Sequence, residues 1–143
     1  MQLNAKNVKS HLVFDEKYKD FGKEAQVGYD LTLMGIKRIH AGSHMLSTSG
    51  SHVDKGSYED LPKVTFPSDE SKVWWTIDPG VYSLTFHQGC SLPDNVMALM
   101  GAVMIAHNPV VIEVGSRVAQ ITMSETQKSE LYDGQYQDTK DLK

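Results

Sequence analysis

At 143 residues the chain suits a single domain that can bury a core without staples. Its formal charge is −4, and Arg38 and Arg117 are the only arginines, so it lacks the basic stripe that a nucleic-acid binder presents. Cys90 stands alone, which excludes an intramolecular disulfide and a cysteine-based zinc site.

A lone cysteine fits a reducing cytoplasm and reads as a small buried hydrophobe. The N-terminal MQLNAKNVKSH lacks the apolar core of a signal peptide, and the longest apolar run, Val96–Ala106, is too short to span a bilayer. The expectation is a soluble, cytoplasmic protein with no membrane partner.

Residues 1–26 scatter Leu12, Val13, Phe14, Tyr18 and Phe21 among charged residues with no dominant period, which leaves a short helix and a loose arm both open. At Val27 the texture changes to VGYDLTL. Tyr29, Leu31 and Leu33 alternate with Asp30 and Thr32, the period of a half-buried strand, and Gly28 permits close backbone approach at its start. Asp30 then lies opposite the apolar face, as a solvated strand residue or as a carboxylate aimed at a metal or sugar.

Residues 40–72 are rich in Gly, Ser, His and Asp and read as long loops with one short strand near Val64–Phe66. His40, His44 and His52 sit in that stretch without the rigid frame a metal site needs, so they read as exposed and no metal site is expected. In VWWTIDPG a strand sends Trp74 and Trp75 to opposite faces, so at most one is deep in the core. Asp78-Pro79-Gly80 then makes a turn. Tyr82, Leu84 and Phe86 alternate most clearly of all.

Val96–Ala106 fits a helix of Met, Ala and Leu or a strand buried on both faces, and the surrounding strands favour the second. Val110–Val114 is β-branched, Gly115-Ser116 turns, and alternation resumes over Val118–Met123. Short strands with regular turn signals predict an all-β barrel or sandwich. The expected organisation is a lead-in over 1–26, a β-barrel domain over 27–123 with a loop-rich insert at 40–72, and a flexible C-terminal arm over 124–143.

VGYDLTL, PGVYSLTFHQGCSLPDNVMALM, NPVVIEVGSRVAQITM and LYDGQYQ, in that order, resemble the family of dUTP pyrophosphatases and dCTP deaminases. The early G-Y-D-L and the late Y-Q are closer to the deaminase branch. The resemblance covers roughly half of the chain. It implies a distorted, jelly-roll-like β-barrel that forms a homotrimer, acts on or binds dUTP or dCTP, and uses Mg²⁺ when active. It implies nucleotide contacts from Asp30 in the first motif, from Gln120 with Arg117 supporting its turn, and from Tyr136 and Gln137 of a closing arm. Gln135 stands where the deaminase arm commonly has a lysine.

One departure is large. The family's second motif, Arg-Ser-Ser-Leu at a helix start, cradles phosphates, and its third is a hairpin that carries the catalytic carboxylate. Here Met100-Gly101 leads into Ala102-Val103-Met104 and almost at once into Asn108-Pro109. The segment Ile77-Asp78-Pro79-Gly80-Val81-Tyr82 resembles the third motif, but its place in the chain matches an earlier Pro-Gly turn of the barrel.

Asp30 and Asp78 are therefore the catalytic candidates, with Glu113 as a further carboxylate in a strand and expected to face solvent. His87 and His107, each beside apolar residues, read as structural histidines. Two functions stay open: an enzyme of deoxypyrimidine nucleotide metabolism, or a catalytically inactive trimeric relative with a binding, regulatory or assembly role, including a viral one.

Overall fold

The computed structural model describes residues 1–54, 56–102 and 109–127. Within them one α-helix, α1 (Ala5–Ser10), and a single 3-10 turn at Glu16–Tyr18 accompany short and long strands: β1 (Leu12–Val13), β2 (Lys23–Glu24), β3 (Tyr29–Ile39), β4 (Ser43–Ser47), β5 (Gly50–Asp54), β6 (Tyr58–Asp60), β7 (Lys63–Phe66), β8 (Asp69–Ile77), β9 (Tyr82–Phe86), β10 (Gly89–Cys90), β11 (Val96–Ala102), β12 (Val110–Glu113) and β13 (Arg117–Glu125). The chain is all-β, as the turn spacing predicts. Of the two alternatives for residues 1–26, the short helix forms. Asn4 caps it by accepting from the Asn7 backbone N–H at 2.9 Å, and Val8 anchors it in the core.

β3 is the strand on which the others converge. Its first residues lie between β2 and β13, with Asp30 opposite both Lys23 and Gln120. From Leu33 onward its partner is β9, and β6 joins at Lys37–Ile39. Beyond β13 lies β11, giving the order β11-β13-β3-β2. A second sheet runs β12-β8-β7, β1 pairs with β10, and β4 pairs only with β5 among the described residues. Gly28 is required where β3 begins, because a Cβ there would lie 2.5 Å from the Ile121 carbonyl oxygen.

The alternating faces bury two apolar clusters. Tyr29 and Leu31 pack with Leu3, Val8, Ala119, Ile121 and Met123, while Leu33 and Ile36 pack with Trp75 and Ile77. Phe86 packs against both clusters and joins them. Trp75 is buried and Trp74 half-buried, as strand alternation demands.

Residues 40–72 differ from expectation, since strands β4 to β7 replace the long loops. Val64–Phe66 is a strand as predicted, but the Ser- and His-rich part forms a hairpin that keeps Met45 and Leu46 in solvent. Backbone pairing and the Ser47 hydroxyl, which donates to the Gly50 carbonyl at 3.1 Å, hold that ribbon, and no hydrophobic period announces it. Cys90 is exposed rather than buried, because its two-residue strand lies at a sheet edge against β1. Val96–Ala102 is a strand, but not one buried on both faces, since Met97, Leu99 and Met100 are exposed. Residues 103–106, His107 and the arm from 128 lie outside the described residues. No helix among the described residues is long and apolar enough to cross a membrane.

A buried polar cluster fixes the centre of β3. The Thr32 backbone N–H donates to Gln88 Oε1 at 3.0 Å, and Gln88 Nε2 donates to the Phe21 carbonyl and to Thr32 Oγ1, both at 3.0 Å. The Thr32 hydroxyl lies 3.0 Å from His87 Nδ1, and the imidazole packs against the rings of Tyr18 and Phe21. His87 is thus the structural histidine that its setting suggested. Burial lowers its pKa from 6.5, opposed by a hydrogen bond to the Thr32 backbone and helped by smaller downward pushes from Lys17 and Lys63.

A neutral His87 binds fewer protons folded than unfolded, so its contribution is complete above the unfolded value of 6.5 and shrinks as pH falls towards the folded one. Urea unfolding of the wild type and His87→Gln at a series of pH values tests this. The stability advantage of the wild type should narrow as the solution is acidified; a gap that stays constant or widens contradicts a neutral buried imidazole.

Candidate functional site

The register of β2, β3, β13 and β11 sets Lys23, Asp30, Gln120 and Gly101 in one cross-strand row. Directly opposed residues share a sheet face. Tyr29 and Ile121 point into the core, so this row points outward. Gln120 Nε2 donates to Asp30 Oδ1 at 3.1 Å across the strand pair. Space above Gly101 is open, with no atom within 4 Å of where its Cβ would be. Residues ninety positions apart in sequence therefore meet because the two strands pair antiparallel.

Arg117 joins them from the start of β13. The chain turns at Gly115, whose φ of +88° suits glycine, and its N–H donates to the Leu33 carbonyl at 2.8 Å. An irregularity in register between Arg117 and Ala119 follows and re-aims the strand's first side chain. Arg117 Nη1 then lies 3.8 Å from Asp30 Oδ2, with the guanidinium half exposed. Beside it opens a depression of about 370 Å³ lined by Asp20, Phe21, Gly22, Thr32, Val114, Gly115 and Arg117.

These groups suit recognition of a polar, planar ligand. With one N–H committed to Asp30, Gln120 keeps an acceptor oxygen and a second donor for a heterocycle edge. Asp30 can accept from a sugar hydroxyl, and Arg117 offers a planar fork to a phosphate or carboxylate. Mg²⁺ fits poorly here. The patch supplies one carboxylate, and a guanidinium beside it repels a divalent cation. Among the described residues no group of three or more His, Cys, Asp or Glu side chains gathers to hold a metal.

Other expected residues fall elsewhere. Asp78 is exposed in the turn after β8, where its carbonyl accepts from the Tyr82 hydroxyl. Tyr82 is opposite Arg38, near the far end of β3 from Asp30, and the strand length between them is about 25 Å. Asp78 is thus a turn residue outside this patch. Glu113 is half-buried in β12 rather than solvent-facing, since β12 packs along β8. Tyr136 and Gln137 lie outside the described residues. Sequence reasoning missed Asp20, Phe21 and Gly22, which form the rim opposite Arg117. No local sequence pattern marks them, and only the structure shows the constraint on Gly22. Its φ of +87° and the Tyr29 ring 2.5 Å from a would-be Cβ make glycine necessary there.

Exposed polar pairs contribute little to stability, so Gln120→Ala and Arg117→Ala should each change the free energy of urea unfolding by less than about 1 kcal/mol. Gly28→Ala should cost clearly more, because the added methyl collides with a backbone carbonyl. Unfolding of the Gln120 or Arg117 variant would instead mark those residues as structural. No family model, curated protein or solved structure matches the chain.

Proposed function

We propose that the chain is a dUTPase/dCTP deaminase-like protein that binds a deoxypyrimidine nucleotide, dUTP or dCTP, on the Asp30–Gln120–Arg117 face. One observation carries this reading. The three side chains expected from two separate motifs of that family meet within hydrogen-bond and ion-pair distance on adjacent strands. Asp30 would take the sugar hydroxyl, Gln120 the base edge, and Arg117 the phosphates. Tyr136 and Gln137 would close over the ligand from the arm. On this reading the strands form the family's barrel, three copies assemble, and Mg²⁺ arrives with the triphosphate rather than residing in the protein.

A second reading has its own support: a catalytically inactive member with a binding, regulatory or assembly role, including a viral one. The chain runs from β11, which ends at Ala102, to β12, which starts at Val110, with no length left for a phosphate loop and a catalytic hairpin. Among the described residues β11 is also an edge strand, with Met97, Leu99 and Met100 largely exposed, which suits contact between copies.

Thermal unfolding with dUTP or dCTP, in magnesium, tests the first reading: ligand at a hundredfold excess over Kd stabilises by about 2.7 kcal/mol. A rise in Tm that Asp30→Ala abolishes is expected, and no rise with either nucleotide refutes nucleotide binding. Assays for pyrophosphate and ammonia in the same samples separate the readings, since turnover lost on Asp30→Ala excludes the inactive one.

A further inference from the structure

Lys23 has no counterpart in the motifs that point to Asp30 and Gln120, yet it shares their row. It lies directly opposite Asp30 on β2, so its side chain leaves the sheet on the same outward face. It is exposed and makes no ion pair among the described residues. Its neighbour Glu24 is opposite Tyr29 and points to the other side. Arg117 sits two strands away from Lys23 and two residues further along, opposite Thr32. Strand spacing and rise place the two Cα atoms about 12 Å apart, a gap that two long side chains can close from both ends. Between them lies Asp30, whose oxygens already face Gln120 and Arg117.

We propose that Lys23 and Arg117 form a two-cation anchor for the phosphate chain of a di- or triphosphate ligand. The guanidinium grips one phosphate with its fork, and the ammonium, with rotatable donors, holds another. The anchor takes the place of a glycine- or serine-rich phosphate loop: Arg117 lines one depression and Lys23 a neighbouring one, and the two depressions share Asp20 and Gly22 as their common rim. Asp30 between the two cations and Asp20 on that rim both repel an anion, so their charges limit affinity. As a nucleotide anchor the pair rests on the function proposed above, but its affinity for phosphate itself does not.

Calorimetric titration of the full chain with inorganic pyrophosphate tests it. The wild type should bind, and Lys23→Ala should weaken binding about tenfold, the loss expected for one charge-assisted contact. Asp20→Asn should tighten it, and Lys6→Ala, an exposed lysine on α1, should leave it unchanged. Absence of pyrophosphate binding, or equal affinity in wild type and Lys23→Ala, overturns the anchor. Parallel titrations with deoxyuridine and dUTP separate the two claims. Deoxyuridine binding without pyrophosphate binding removes the anchor alone. Pyrophosphate binding that depends on Lys23, with no gain in affinity for dUTP, upholds the anchor and removes the nucleotide reading.

Discussion

The structure depends on how the backbone of Thr32 is satisfied. β3 pairs with β2 at Tyr29–Asp30 and with β9 from Leu33 onward, and Thr32 falls at the change of partner. Its N–H donates to the Gln88 side chain, and its carbonyl accepts from the His87 backbone. A buried N–H left alone there would cost roughly 1–3 kcal/mol, so the Gln88 amide stands in for a missing strand neighbour. The same amide ties down the Phe21 carbonyl, and Tyr29 donates to that carbonyl at 3.0 Å. Burial raises the pKa of Tyr29, with smaller upward pushes from Glu24 and Asp20. One polar cluster thereby fastens the lead-in segment to the centre of the sheet and holds one wall of the depression beside Arg117.

Much of this frame is legible in the residues. Alternation locates β3, β9 and β13 because each has one buried and one outward face, and Gly28 marks the close approach of β3 to β13. Motif order singles out Asp30 and Gln120 one by one, but their meeting on adjacent strands of one chain comes from the antiparallel pairing of β3 and β13, which no local pattern contains. The β4–β5 hairpin was not legible, since its Ser-, His- and Gly-rich sequence carries no hydrophobic period. Nor was the segment around Phe21 and Gly22. Its position is set by Gln88, a long-range hydrogen bond that no window of sequence contains.

The placement of charge follows from the same frame. Pairing direction puts Lys23 and Asp30 on the outward face and Glu24 and Tyr29 on the other. A one-residue slip of β2 would exchange them and take the lysine off the face. Gly22 guards that register, because a side chain there would meet the Tyr29 ring, the Asp30 carbonyl and the Gln88 amide together. The outward row is therefore set by the β3–β13 pair, and its rim by a short turn held by hydrogen bonds.

Backbone amide chemical shifts recorded by NMR during titration with dUTP test the central claim most directly. The account predicts that the largest changes fall on Asp30, Arg117, Gln120 and the Gly22–Lys23 turn, with the β4–β5 hairpin unmoved. Changes centred on the hairpin or on the Asp78 turn, with the Asp30 row silent, would contradict it.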